Sequence, residues 1–258
     1  FQEMLENLGV EVELGELADV GFAGGRVTVG GRPVDLVLRY FGVGEILDDP
    51  AGLAVVDRLV QADADGAVVL YTSLSGELFN NKTSLALLTD LRWSGRLTSD
   101  EATLVDTVLP WTRSMTLGQV EVDGATVDLM EYCRQERGNL ILKPGADFGG
   151  AGITAGWLVD DVTWKAALAE GSTQGAIVQR RVVPRAEPVL DPTTGVPQDW
   201  NAVWDCFLTP EGYAGSHIRA LPTGGGAVIG MGASVEARTT GIFYYGAGSG
   251  GAPSGAGG

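Results

Sequence analysis

Only three lysines stand among the 17 basic residues of this 258-residue sequence, and two of them occupy places where an ammonium group can do chemistry. Lys82 opens the helix-like segment NNKTSLALLTDL after an apolar run and a short loop, where its charge and the first helical N–H groups can hold one anion together. Lys143 closes the apolar run LILK just before the loop PGADFGGAGI. In that loop Gly145, Gly149, Gly150 and Gly152, with Ala151 between them, lack the side-chain bulk that would keep backbone N–H groups from turning toward a polyphosphate. Arginine serves for solvation elsewhere in the chain; lysine at both of these places suits a compact point charge against phosphate oxygens better than a planar fork. The alternative is a pair of ordinary surface lysines beside a turn-forming loop. Asp205, in VWDCF, is an acid among strand residues, where an unpaired carboxylate is costly to bury, so it needs either a metal ion or an arginine as partner.

These side chains need a scaffold of strands and helices. Between Val10 and Phe41 the pieces VEVEL, RVTVGG and VDLVLRYF read as short strands separated by glycine turns, the last apolar enough to be a buried central strand. AGLAVVDRLVQA, residues 51 to 62, has helical spacing, and GAVVLYTSL after it reads as another buried strand, so this region is an α/β layer. Residues 80 to 91 and 99 to 109 are expected helices, the second capped by Thr98 or Ser99 with Glu101 in its first turn. Beyond Asn139 the pattern is mostly antiparallel β, with strand candidates NLILKPG, AIVQRRVVP, NAVWDCFLT, YAGSHIRAL and GAVIGMG and one short helix, WKAALAEGS. Residues 246 to 258 hold seven glycines in thirteen and no large apolar side chain, the composition of a flexible tail.

Bulk properties remove several classes of function. A formal charge of −16 opposes any reading built on attraction to a phosphate backbone, so nucleic acid is not an expected partner. No stretch approaches the roughly 18 apolar residues of a membrane span, and no signal peptide is evident, so a cytoplasmic location without membrane association is expected. Two cysteines, Cys133 and Cys206, and one histidine, His217, make neither a disulfide framework nor a zinc pattern nor a histidine-dependent triad. The chain begins with Phe1 and a helix running straight into a strand, and further sequence upstream is expected.

The ordered series NNKTSLALL, LVDTVLPWTR, NLILKPGADFGGAGI and AIVQRRVVP resembles the ATP-grasp superfamily, in particular its glutathionylspermidine-synthase-like, circularly permuted branch, over most of residues 33 to 245. The resemblance implies an α/β (α+β) fold in which two α+β subdomains grip ATP. It divides the chain into part of a preceding pre-ATP-grasp α/β layer in residues 1–78, the nucleotide-binding region in 79–245, and the tail. It implies that Lys82 and Lys143 contact ATP, that the glycine loop is a lid, and that Gln179 lies in the hinge beside adenine, with Val178 or Val182 against the base. By the same resemblance Asp205 is a Mg2+ ligand and Arg219 faces the phosphates. A second metal ligand is usual near the next strand end, where this sequence departs from the pattern and offers Met231, Ser234 and, slightly later, Glu236. Arg39 and Arg113, beside apolar runs, either face an acyl phosphate or carboxylate substrate or pair with one of the many acids. The implied activity is ATP-dependent joining of a small-molecule carboxylate to an amine. Phosphoryl transfer without ligation and a catalytically silent nucleotide-binding or scaffold module are the rivals.

Overall fold

A computed structural model describes residues 2–116, 118–147, 149–191, 194–232 and 234–240; the expected tail and Phe148 lie outside these. The fold is mixed α/β, and the chain forms two compact units that divide between Asn80 and Asn81.

The first unit contains α1 (Gln2–Asn7), β1 (Val20–Ala23), β2 (Arg26–Val29), β3 (Arg32–Pro33), β4 (Leu36–Leu38), α2 (Val43–Leu47), α3 (Pro50–Ala64) and β5 (Val69–Tyr71). The glycine-punctuated strands β1, β2 and β3 form an antiparallel meander, whereas β4 and β5 pair in parallel across α3, as a β-α-β crossover requires. Asp49 caps α3 by accepting from the Ala51 N–H, and Pro50 stands at its first position. Leu59 on α3 packs with Val27 and Val68 in a small core. Two expectations fail here. VEVEL forms no strand, and VDLVLRYF is not buried on both faces: Leu36 and Leu38, paired with Val69 and Tyr71, are exposed, and only the alternate residues Val37 and Leu70 turn inward.

The second unit begins with α4 (Thr83–Trp93) and α5 (Ser99–Val108), followed by β6 (Thr112–Ser114), the hairpin β7 (Gln119–Val122) and β8 (Ala125–Asp128), and α6 (Leu129–Gln135). It continues through β9 (Leu140–Lys143), β10 (Thr154–Ala155), α7 (Asp161–Thr173) and β11 (Ile177–Arg180) to β12 (Ala186–Leu190), β13 (Pro197–Thr209), β14 (Gly212–Pro222) and β15 (Arg238–Thr240). Thr98 and Glu101 close a capping box at the start of α5. The β7–β8 turn is Asp123–Gly124, both with positive φ, the backbone that a two-residue hairpin needs. GAVIGMG forms no strand.

Two antiparallel sheets organise this unit. One has the order β10-β9-β11-β6, the other β12-β13-β14-β15. One face of the first sheet carries Leu140 and Leu142 of β9 and Val178 of β11 into a core with Leu129 and Cys133 of α6 and Trp164 and Leu168 of α7. The Trp164 indole donates to the Cys133 carbonyl at 2.8 Å, so its polar edge is satisfied inside the core. Burial pushes the Cys133 thiol up to about 12. Leu140 is fully buried, and Leu140→Ala is expected to lower unfolding free energy by about 2 to 5 kcal/mol through lost transfer energy and a cavity. Urea denaturation followed by tryptophan fluorescence checks this; an unchanged midpoint would mean the site collapses without cost.

Candidate functional site

Strand alternation sets the side chains of interest on the opposite face of the first sheet. Lys143 pairs with Ile177, and Gln179 pairs with both Ile141 and Thr112, so Lys143, Gln179 and Thr112 share the side away from Val178 and Leu142. Lys143 Nζ donates to Gln179 Oε1 at 2.7 Å, and Gln179 Nε2 donates to Thr112 Oγ1 at 2.9 Å. Thr112 and Gln179 are buried, Lys143 partly so.

The second lysine arrives from α4. Asn81 Oδ1 accepts from the Thr83 N–H at 2.9 Å and from the Thr83 hydroxyl at 2.7 Å, a local turn that leads into the helix and sets Lys82 at its mouth, in the N-cap position. The Lys82 N–H donates to the Gly145 carbonyl at 2.8 Å, and its ammonium donates to the Asp147 carbonyl. The start of α4 is thereby stitched to the loop after Lys143. Gly145 has no room for a side chain: a Cβ would lie 2.9 Å from the Gly175 carbonyl oxygen and 3.2 Å from Asn81 Oδ1. The loop itself connects the antiparallel β9 and β10. Gly149, Gly150 and Gly152 all take positive φ, and a Cβ on Gly150 would meet Val228 at 2.6 Å, whereas Ala151 is exposed.

Electrostatically this corner is a concentration of positive charge in an acidic chain. Burial pushes the Lys143 ammonium below the ordinary lysine value, and the nearby positive Lys82 pushes it the same way. Among the described residues, neither lysine forms an ion pair with a carboxylate. Their acceptors are a side-chain amide and a main-chain carbonyl, both of which an anion can replace.

The remaining sequence candidates are placed differently. On the second sheet Asp205 pairs with His217, and Arg219 lies diagonally across on the same face. Arg219 Nε and Nη2 grip the two Asp205 oxygens at 3.0 and 2.9 Å, and His217 Nδ1 lies 3.3 Å from Oδ2. Burial alone would raise the Asp205 carboxyl, but the hydrogen bonds from Arg219 and His217 and their charges outweigh it and hold it below the usual carboxylate range. Glu236 is not brought to Asp205. It is exposed just before β15, whose first residue, Arg238, pairs with Ala220, three positions along β14 from His217. Among the described residues no cluster of three or more His, Cys, Asp or Glu side chains has the proximity to hold a metal ion. As placed, Asp205 and Glu236 do not fit a Mg2+ site, because one carboxylate is already gripped by a guanidinium and the other stands apart.

Both other arginines are structural. Arg113 is fully buried, stacks over Trp111 with its guanidinium carbon 5.0 Å from the ring centroid, and donates to the Thr112 carbonyl at 2.8 Å, the Glu121 carbonyl at 3.2 Å and the Thr89 hydroxyl at 3.1 Å. A substrate-facing role is excluded for it in this arrangement by enclosure. Arg39, in the first unit, donates to the carbonyls of Thr72, Phe41 and Ser73 and pairs with Glu77 at 3.2 Å, so its guanidinium is committed to the chain around β5. Val178 belongs to the core on the face opposite Lys143, and Val182 is exposed beyond the end of β11.

No protein-family model matches this chain, and no curated protein does. The site therefore rests on its own geometry. Thr112 is the deepest polar member of the group, and the sequence marks it only by alternation with the neighbouring Arg113. Among the described residues no helix is long and apolar enough to cross a membrane.

The Asp205–Arg219 fork generates a pH-dependent expectation. A carboxyl held low in the folded state stabilises fully above its unfolded value and loses that contribution as pH falls through the folded value. Asp205→Asn is expected to lower the melting temperature near neutral pH in the absence of any nucleotide, with the difference fading below the ordinary carboxylate value of 3.8. Thermal melts of both proteins across that range check it; equal stability near neutral pH would mean that the fork contributes nothing.

Proposed function

We propose that the second unit binds ATP and that the protein joins a small-molecule carboxylate to an amine with release of ADP and phosphate, as an ATP-grasp-like ligase. The observation that carries this reading is the convergence of Lys82 and Lys143 on one corner, unpaired with any carboxylate among the described residues and bordered by the glycine loop. Such a corner fits a polyphosphate: the anion relieves the mutual repulsion of the lysines and replaces the weaker acceptors that they now hold. In the proposed chemistry a substrate carboxylate oxygen attacks the γ-phosphorus, the bond to the β-phosphate oxygen breaks, and ADP leaves. The amine nitrogen then attacks the acyl carbon, phosphate departs, and the nitrogen loses a proton to form the amide. Lys82 and Lys143 would spread the transferring charge, and the glycine loop would shield the acyl phosphate from water. Neither step asks for a protein nucleophile, consistent with one histidine and a core-buried Cys133.

A second reading, a nucleotide-binding module without turnover, is favoured by one observation: both Asp205 oxygens are engaged by Arg219. Incubation with ATP and pooled amino acids and polyamines, with and without Mg2+, separates the two by ADP release; binding without ADP release under any condition selects the second. For either reading ATP is expected to raise the melting temperature. Lys143→Ala is expected to weaken ATP binding by about 1.5 to 3 kcal/mol, the worth of a hydrogen bond to a charged group. Calorimetric titration measures it, and unchanged affinity removes Lys143 from the site.

A further inference from the structure

The geometry assigns Thr112 and Gln179 a joint positioning role: the Thr112 hydroxyl anchors the Gln179 amide nitrogen, and the amide oxygen holds the Lys143 ammonium for an anion. This rests on the reading of Lys143 as an anion-binding lysine, but its first consequence belongs to the ligand-free protein. An ammonium group has donors only, so Gln179 must present Oε1 to it, and the reversed amide would set two donors against each other. Thr112 Oγ1 supports the same orientation from the other end of the amide. Its proton is given to the Pro110 carbonyl at 2.8 Å, which leaves its lone pairs to accept Gln179 Nε2 at 2.9 Å. The relay therefore has one direction, from Lys143 to Gln179 to Thr112 to Pro110.

Three strands supply this relay, and burial keeps water from substituting for its members. Thr112 is fully buried and Gln179 is 6% exposed. The anchor is itself pinned: the Thr112 carbonyl accepts from Thr89 Oγ1 at 2.6 Å and from Arg113 Nη1 at 2.8 Å. Thr89 lies on α4, the helix whose mouth carries Lys82. One helix thus fixes both the origin of one lysine and the foundation under the other. Gln179 acts on Lys143 through its side chain, a role distinct from reading a base with its backbone.

With three lysines in the chain, protein labelled with 13C at lysine Cε gives three side-chain signals, and Lys143 is the one missing from Lys143→Met. Removing the hydroxyl in Thr112→Val leaves Gln179 Nε2 without its acceptor and loosens the amide under Lys143, and the Lys143 titration midpoint in ligand-free protein is expected to fall below its wild-type position. Thr112→Ser, which restores the hydroxyl, is expected to return it. Gln179→Glu is expected to move it upward, because a carboxylate replaces the amide oxygen. ATP affinity is expected to drop about twofold to tenfold in Thr112→Val, the range for one lost hydrogen bond, and to recover in Thr112→Ser. A Lys143 midpoint that Thr112→Val leaves unmoved overturns the assignment; if Thr112→Val does not fold, an unmoved midpoint in Gln179→Glu does so. Midpoints that shift as stated in a protein that binds no ATP support the relay and reject the nucleotide reading.

Discussion

Two ammonium groups held within electrostatic reach of each other set the terms for the second unit. Burial and mutual repulsion both disfavour the charged form of Lys143, so the fold must hold it in place against a cost. It does so by ending β9 beside the mouth of α4 and by using glycine where the backbones crowd together. At Gly145 even a methyl group would collide with the Gly175 carbonyl, which means that the loop leaves the strand along a path no other residue allows without a shift. Asn81 then aligns the helix, and the Lys82 N–H locks it to Gly145.

The same unit contains a second buried cation, and it is held in a different way. Arg113 is fully buried against a tryptophan face and donates to the β6 and β7 main-chain carbonyls of Thr112 and Glu121 and to the Thr89 hydroxyl. Lys143 leans instead on one side-chain amide. A guanidinium with a fixed cage is a strut between strands, whereas an ammonium with one replaceable acceptor retains donors for something else. Arg39 in the first unit belongs to the former kind, with three carbonyls and Glu77 around it. Arg219 is intermediate, exposed in part and neutralised by Asp205.

Much of this was legible where the physics is local. The helices around residues 50–64, 83–93 and 99–108 follow from apolar spacing and from the caps at Asp49 and Thr98, which act within one turn. The lysines were visible through their rarity, because a chain that otherwise uses arginine marks its exceptions. What failed depended on distant partners. A polar–apolar alternation such as VEVEL becomes a strand only if an edge is offered to it, and GAVIGMG has glycines in place of the side chains that would hold one. For Arg113 and Arg39 the choice between facing a substrate and pairing with an acid stays open in the sequence, because it records an arginine beside an apolar run but not the carbonyls that fold around it. The separation of Glu236 from Asp205 is a matter of strand register between β14 and β15, which composition does not encode. Thr112 was hidden for the same reason, since its partner lies 67 positions away.

The two cysteines give the second unit a built-in chronometer. Thiolate is the reactive species, and Cys133, at about 12 and sealed under Trp164, presents almost none of it to solvent while the core is closed. Cys206 stands exposed on β13, open to alkylation in the folded state. A reagent added to the native protein therefore marks the strand first and the core only when α6 and α7 part from the sheet, so the interval between the two events measures how often that core opens without any denaturant.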